Sequence, residues 1–517
     1  MHVNQLLRKL FELQFAVGLT FHDGRSQLSM YASIKKKGVT MKFPVTLLTM
    51  LVGASLLGAP AFVDTRAKAG AETLRASSIM QPQKRLASPI QQDVREAHSH
   101  VEAQLASLQM EQDPFARVYI VTSRASWVGL RSIARNGVAR RDSIGSVLVV
   151  SEIRAHQLGE VSDYIHHRER RCGGYFAFKS RSEANAFIAS DRTFEAVRKS
   201  ALTSYTIDRP GTVALWLPQV SEANIYNTIN HLSSYQNRYY ASATGKSSAE
   251  WIRASWQALA GSRSDVTTEL FTNCSNCSTQ PSVILTIQGT VFPDEIVVLG
   301  GHLDSINGSA GGNLSQRAPG ADDDASGIAT LTEVIRIALA DGWRPQRTVK
   351  FMAYAAEEVG LRGSRAIAQS FRASNRNVVG VLQLDMTNYK SGPVEDMQLI
   401  TDYSNPDMQA FLVDLFDRYL APLGLTRGTY TCGYGCSDHA SWTSSGYPSA
   451  MMFEAGDVSG DFPYIHTTGD TLANMGESAE HSAKFAKLGL AFLAELGKSA
   501  HKWEADCKLP PRVLIEP

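Results

Sequence analysis

The chain has 517 residues, with 51 Lys+Arg against 50 Asp+Glu and 44% apolar residues. That length points to two or three folded units with a sizeable core. The balanced charge argues against the basic face of a nucleic-acid binder and gives no electrostatic reason to expect an anionic membrane as partner.

Met41 and Lys42 precede an apolar run, Phe43 to Leu57, and then Ala59-Pro60-Ala61. A short charged region, an apolar stretch and a small-x-small site read as a secretory signal peptide over 41–61. The run is too short and too rich in Gly and Ala for a good membrane span. Residues 1–40 read as a segment upstream of a true start at Met41, or as a long leader carrying Lys35-Lys36-Lys37. Both readings send the chain out of the cytoplasm, with no membrane association once the signal is removed. Residues 62–95, rich in Ala, Ser, Gln and Arg, read as a linker.

Residues 96–198 read as a small α/β domain. Strands are predicted over Arg117–Thr122, Ser146–Ser151 and Gly174–Phe178, and helices over Ser126–Asn136 and from Ser182 to Ile188. The domain carries no cluster of metal ligands or nucleophiles. Its position between a signal and a larger unit suggests a prodomain that restrains the enzyme until cleaved. Arg198-Lys199 and Pro210 mark 199–211 as linker and processing region.

From 212 to 498 the pattern predicts a second domain. Helices are expected over Ser221–Leu232, Ser247–Leu259, Gly327–Leu339, Gly363–Phe371 and Ser482–Leu496. Apolar runs at Glu295–Leu299, Thr348–Tyr354, Val378–Leu384 and Ser449–Phe453 read as strands. Alternation of strand and helix implies crossovers, hence a three-layer α/β/α sandwich around a mostly parallel mixed sheet. Residues 499–517 form a C-terminal tail.

In such a sheet, ligands bind beyond the carboxyl ends of the strands. Those ends carry His302 and Asp304, then Glu357-Glu358, then Asp385; Asp322-Asp323-Asp324 and His466 lie in following loops. Imidazole nitrogen with carboxylate oxygen suits zinc. One zinc needs three protein ligands, and at least five candidates converge, so two metals sharing a carboxylate are expected. Taken singly, an Asp after a strand is an ordinary helix cap and a Glu pair is an ordinary solvated loop. Their convergence on one sheet edge favours a site.

Six cysteines, Cys172, Cys274, Cys277, Cys432, Cys436 and Cys507, in an exported chain favour disulfides. A four-thiolate zinc site from the two close pairs is the competing pattern. Cys432-Gly-Tyr-Gly-Cys436 looks like a tight loop closed on itself.

Five strings, Gly301-His302-Leu303-Asp304-Ser305, Pro319 to Gly327, Ala356 to Ser364, Leu384-Asp385-Met386 and Ile465-His466-Thr467-Thr468, strongly resemble the secreted bacterial leucyl aminopeptidases, co-catalytic zinc exopeptidases. The resemblance runs from about 212 to 496. It implies two Zn2+ per chain: one on His302 and Asp385, the other on Glu358 and His466, with Asp323 bridging. Glu357 would be the general base and Asp304 would orient His302. It further implies a Cys432–Cys436 disulfide, a cis peptide at Asp323–Asp324, and a monomer acting on peptides with a free N-terminus. The apolar pocket would include Met386, Ile400, Tyr434, Met451, Phe453 and Ile465 and suit Leu, Met or Phe. The Cys274–Cys277 pair and the tail with Cys507 depart from the family pattern. Competing readings are a single-zinc glutaminyl cyclase, a carboxypeptidase or aminoacylase on the same fold, and a non-catalytic binding protein on a peptidase scaffold. The last would lack ligands or the base, and both are present here.

Overall fold

A computed structural model describes residues 13–22, 25–36, 39–44, 115–142, 145–169, 174–189, 205–308, 314–390, 395–432, 435–454 and 462–498. Most of the expected signal, the 62–95 linker, the Arg198-Lys199 pair, the 499–517 tail, Cys172, Cys507 and Tyr434 lie outside them. Two compact units divide the chain at Leu86/Ala87.

In the first unit, β1 (Leu13–His22), β2 (Arg25–Lys36) and β3 (Val39–Pro44) form an antiparallel meander. The leader reading did not anticipate these strands, and β3 overlaps the start of the expected signal. Asp23-Gly24 between paired His22 and Arg25 is a strong two-residue hairpin signal, which that reading passed over.

The second unit begins with a four-stranded antiparallel sheet in the order β5-β6-β4-β7: β4 Arg117–Ser123, β5 Arg135–Arg141, β6 Val147–Arg154, β7 Tyr175–Phe178. Two short helices, α1 (Arg124–Gly129) and α2 (Leu158–Asp163), and a helical stretch at 181–189 accompany it. The helix expected over Ser126–Asn136 stops at Gly129, and β5 takes up the following residues as an exposed edge strand. Ser123 caps α1 through its side chain, but Gly129 ends a run too short to continue.

The larger part is an eight-stranded mixed sheet, ordered β14-β13-β15-β12-β10-β11-β9-β8. Its central strands β10 (Phe292–His302), β11 (Arg347–Tyr354), β12 (Asn377–Gln383) and β15 (Ser449–Phe453) run parallel. Antiparallel β9 (Ser282–Ile287) and β8 (Val266–Phe271) extend one edge. On the other, β13 (Met397–Ile400) pairs antiparallel with β15 and parallel with β14 (Arg427–Tyr430).

Period-2 alternation splits the core cleanly. Val297, Leu299, Val349, Phe351 and Leu382 face helices α3 (Glu222–Ser234), α4 (Ala243–Ala260), α5 (Ala325–Ala340) and α9 (Glu480–Gly497). Ile296, Val298, Met352, Tyr354 and Val381 face α6 (Arg362–Ala373) and α8 (His439–Ser444); α7 (Pro406–Leu415) joins the first layer. Helices thus cover both faces, as the sequence predicts. Each large apolar side chain so buried contributes about 1.5–3 kcal/mol.

The latter part of the expected 199–211 linker is docked, not free. Glu495, buried in α9, accepts from the backbone N–H groups of Asp208 (2.8 Å) and Arg209 (2.9 Å), while Tyr205 donates to the Val379 carbonyl and stacks on Phe411.

His481 in α9 is buried, with Nε2 donating to the Asp396 carbonyl at 2.9 Å and Nδ1 bare. Burial, with Lys484 and Lys390 nearby, lowers its pKa to about 4. A His depressed in the folded state contributes stability that is present above the unfolded pKa and lost as pH falls towards 4. Thermal melts of His481→Gln should therefore lose less stability than wild type between pH 6.5 and pH 4, by up to about 3 kcal/mol. Parallel pH profiles would remove the assignment.

Candidate metal centre

Every candidate ligand stands where a strand or loop releases it at one sheet edge. His302 ends β10. Glu357 and Glu358 follow β11, Asp385 follows β12, and Asp323 sits just before α5. Parallel register sets His302 beside Tyr354 and Gly300 beside Gln383, so all three strands end at the same level. Ala356, Met386, Leu361 and His466 take positive φ, between 49° and 55°. Such backbone is sparsely populated by residues with a Cβ, and clustered here it marks a site over-determined by its surroundings.

These side chains come together. Asp323 reaches both histidines: Oδ1 lies 2.9 Å from His302 Nε2 and Oδ2 lies 2.5 Å from His466 Nε2. Asp385 Oδ1 is 3.5 Å from His302 Nε2, and Glu358 Oε2 is 2.9 Å from His466 Nε2. The donors form two groups of three, His302–Asp323–Asp385 and Asp323–Glu358–His466, each with its atoms within 4.8 Å of one another. The peptide Asp323–Asp324 is cis.

Asp304 lies behind the ligands. It sits 3.5 Å from His302 Nδ1, and its carboxylate accepts from the Glu357 N–H (3.0 Å) and the Glu358 N–H (3.2 Å). Other supports were not assigned from sequence. Asp324 caps α5 through the Gly327 N–H and also accepts from the backbone N–H of His302 and Met386. Asp470 accepts from the N–H groups of Asp322 and Asp323, and Ser437 Oγ donates to Asp385 Oδ2 at 2.5 Å. Buried Arg238 donates to the carbonyls of Leu303, Pro319 and Gly320, pinning the loops that carry Asp304 and Asp323. Ser437 directly follows the Cys432-Gly-Tyr-Gly-Cys436 loop and could have been found there; Arg238 sits in no motif.

His302, Asp304, Asp323, Glu357, Glu358, Asp385 and His466 are each at most 3% exposed. Burial lifts the Glu357 carboxyl well above its usual range; His302 opposes this, and Asp438, Glu358 and Asp385 add to it. Burial and Asp323 raise Glu358 to about 7 against the pull of His466. Burial opposes charge on His466, but Glu358 and Asp323 outweigh it and raise its pKa to about 10. Burial likewise opposes ionisation of Asp323, which the two histidines hold well below the usual carboxylate range. Glu358 Oε1 and Asp385 Oδ1 are buried and receive no hydrogen bond, as does Glu357 Oε1. Buried carboxylates without donors call for cations. The imidazole and carboxylate donors present fit metal ions, with Glu357 left outside both groups.

Met386, Ile400, Met451 and Phe453 form one apolar cluster with Tyr430, Phe462 and Cys432–Cys436, and Ile465 packs on it. Met386 and Ile465 adjoin Asp385 and His466 in the chain, so the apolar cluster meets the candidate ligands at those two residues. The cysteines pair Cys432–Cys436 and Cys274–Cys277, each bond local, which leaves no four-thiolate site among these four residues.

Comparison with known proteins agrees with this geometry. Residues 282–491 match the model of peptidase family M28. Leucine aminopeptidase 1 of Arthroderma gypseum is 36% identical over 304 residues, 57% of this chain and 79% of the relative. The chain belongs to peptidase family M28. A probable leucine aminopeptidase of Trichophyton verrucosum is likewise 36% identical, over 332 residues, covering 62% of this chain and 85% of the relative. Among solved structures, LapB from Legionella pneumophila aligns with TM-score 0.61 and 30% identity over 74% of this chain and 100% of that one. LapA aminopeptidase from the same organism gives 0.60 and 26%, over 74% and 99%. The resemblance read from sequence to bacterial enzymes thus extends to fungal ones.

Asp304→Asn would put an amide donor against one of the two N–H groups that its carboxylate now accepts from. Chelator competition should show metal affinity weakened by about 10–100-fold. Wild-type affinity in that variant would make Asp304 dispensable.

Proposed function

We propose that this chain is a secreted aminopeptidase holding two zinc ions, one on His302 and Asp385, the other on Glu358 and His466, with Asp323 shared. It would remove the first residue from peptides, favouring Leu or another large apolar residue. The observation that carries this is Asp323, whose two oxygens address two different histidines. Imidazole nitrogens with carboxylate oxygens are a donor set suited to zinc.

Bound zinc supplies Lewis acidity, activating water and polarising the scissile carbonyl. Glu357 handles the proton: its Oε1 is buried and takes no hydrogen bond, and its raised pKa suits it to accept a proton from the attacking water and pass it to the leaving amine. Asp304, by holding the N–H groups of Glu357 and Glu358 together, fixes the base relative to its neighbour. The dense set of carboxylates favours a cationic α-amine, which restricts cleavage to the first residue. The Met386–Ile400–Met451–Phe453 cluster, next to Asp385, suits an apolar side chain. Export is supported by the 41–61 pattern and by two disulfides. Residues 96–198, whose β7 packs beside Leu361, would act as a prodomain.

Secreted protein should carry two zinc ions per chain, hydrolyse leucine p-nitroanilide, lose that activity to a chelator and regain it with zinc. Glu357→Gln should keep both ions and lose about 10²–10⁴-fold in kcat. Near-normal turnover in Glu357→Gln removes the base from the mechanism. One zinc with cyclisation of N-terminal glutamine would instead identify a glutaminyl cyclase.

A further inference from the structure

The turn that carries Glu357 and Glu358 does not stand alone. The small antiparallel sheet is seated on it. Ser162, in α2, donates its single hydroxyl proton to the Glu358 carbonyl oxygen at 2.8 Å. Tyr175, the first residue of β7, lies 2.9 Å from Ser162 Oγ and 3.4 Å from the same carbonyl. Both side chains are buried. Two residues on, Gly360 has φ +107°, and a Cβ there would come within 2.8 Å of Ala177 N and Cβ. Only glycine permits so close an approach. Leu361 packs into a cluster with Phe176 and Val121. Arg365 donates to the Ala177 carbonyl and lies over the Phe178 ring at 4.4 Å.

Glu358 is therefore held at both backbone polar groups, its N–H by Asp304 and its carbonyl by Ser162. Its side chain has little freedom beyond its own rotamers. We propose that, as long as the small sheet remains attached to the larger domain, Ser162 and Tyr175 are positioning residues for the Glu358–His466–Asp323 group, so that in the uncleaved chain the small sheet forms part of the frame of the metal centre. This rests on the two-zinc reading above. A buried carbonyl deprived of its donor relaxes towards other partners, and the ligand that shares its residue moves with it. The small sheet would then be needed to set the affinity of one metal and have little bearing on the other, which is held by His302 and Asp385.

The test uses the uncleaved chain, with residues 96–198 still attached, carrying Ser162→Ala and Tyr175→Phe together. Zinc affinities are measured by competition with a chromophoric chelator, alongside kcat and KM at several free-zinc concentrations. One of the two zincs should bind about tenfold or more weakly. The other should be unchanged, and kcat should recover at high zinc with KM little altered. Ser162→Thr, which keeps the hydroxyl, should behave as wild type. Lys179→Ala, which removes a bond to the Ser275 carbonyl elsewhere in the same contact, should leave both affinities alone. If the double variant melts early, Ser162→Ala by itself is titrated in its place. Two wild-type affinities in a folded variant, or an equal loss in Lys179→Ala, overturn the inference. A wild-type chain that binds no zinc overturns the functional reading instead.

Discussion

Seven ionisable side chains share a space that water barely reaches, and five of them are acids. Nothing else among the described residues imposes so strict a condition. Carboxylates packed this closely stay together only if some are protonated or positive charge is supplied among them. The two histidines supply part of it, and the rest of the neighbourhood is arranged around that shortage. Asp304, Asp324 and Asp470 spend their oxygens on backbone N–H groups, so they shape the loops without competing for the central cation position. Arg238 spends its guanidinium on carbonyl oxygens and holds those loops from outside.

The sheet provides what loops alone could not. Parallel β10, β11 and β12 end at one level, so the residues they release, His302, Glu357-Glu358 and Asp385, are delivered to the same end of the sheet. The apolar alternation that buries Val297 and Leu299 on one face and Ile296 and Val298 on the other fixes the register, and a slip of one residue would turn His302 away. Core packing and site geometry are in this sense one constraint.

Much of this was legible in the sequence. The continuous apolar runs of β10, β11 and β12 announce buried parallel strands, and the ligands follow them directly. The ligand groups, the Cys432–Cys436 bond and the cis peptide came from long motif strings. Most of what escaped reading lacks a local signature. Strands β8, β13 and β14 are short or sit at or next to a sheet edge, where composition is mixed; β9, the buried apolar run Ser282–Ile287, does carry a strand signature and was passed over. Strand β5 is Arg-rich and exposed, so nothing apolar betrays it. Arg238 looks like any surface cation until the chain brings the carbonyls of Leu232, Leu303, Pro319 and Gly320 to it. The hydroxyls of Ser162 and Tyr175 are separated from Glu358 by more than 180 residues, a distance at which sequence spacing says nothing.

The hold of Glu495 on Asp208 and Arg209 has a topological meaning. The segment that opens the larger domain is knotted by hydrogen bonds to the helix that closes it, with Lys498 adding bonds to the Thr206 carbonyl and to Asp208. The two ends of the catalytic fold thus form a clasp. A protease that severs the chain before Tyr205 leaves the clasp shut, and the enzyme keeps its closing helix, whose Phe485, Leu488 and Phe492 fill the core beneath the sheet. A cut beyond Arg209 would open it and free both ends at once. The geometry of a single buried carboxylate therefore draws the line between a cut that leaves the fold closed and one that opens it.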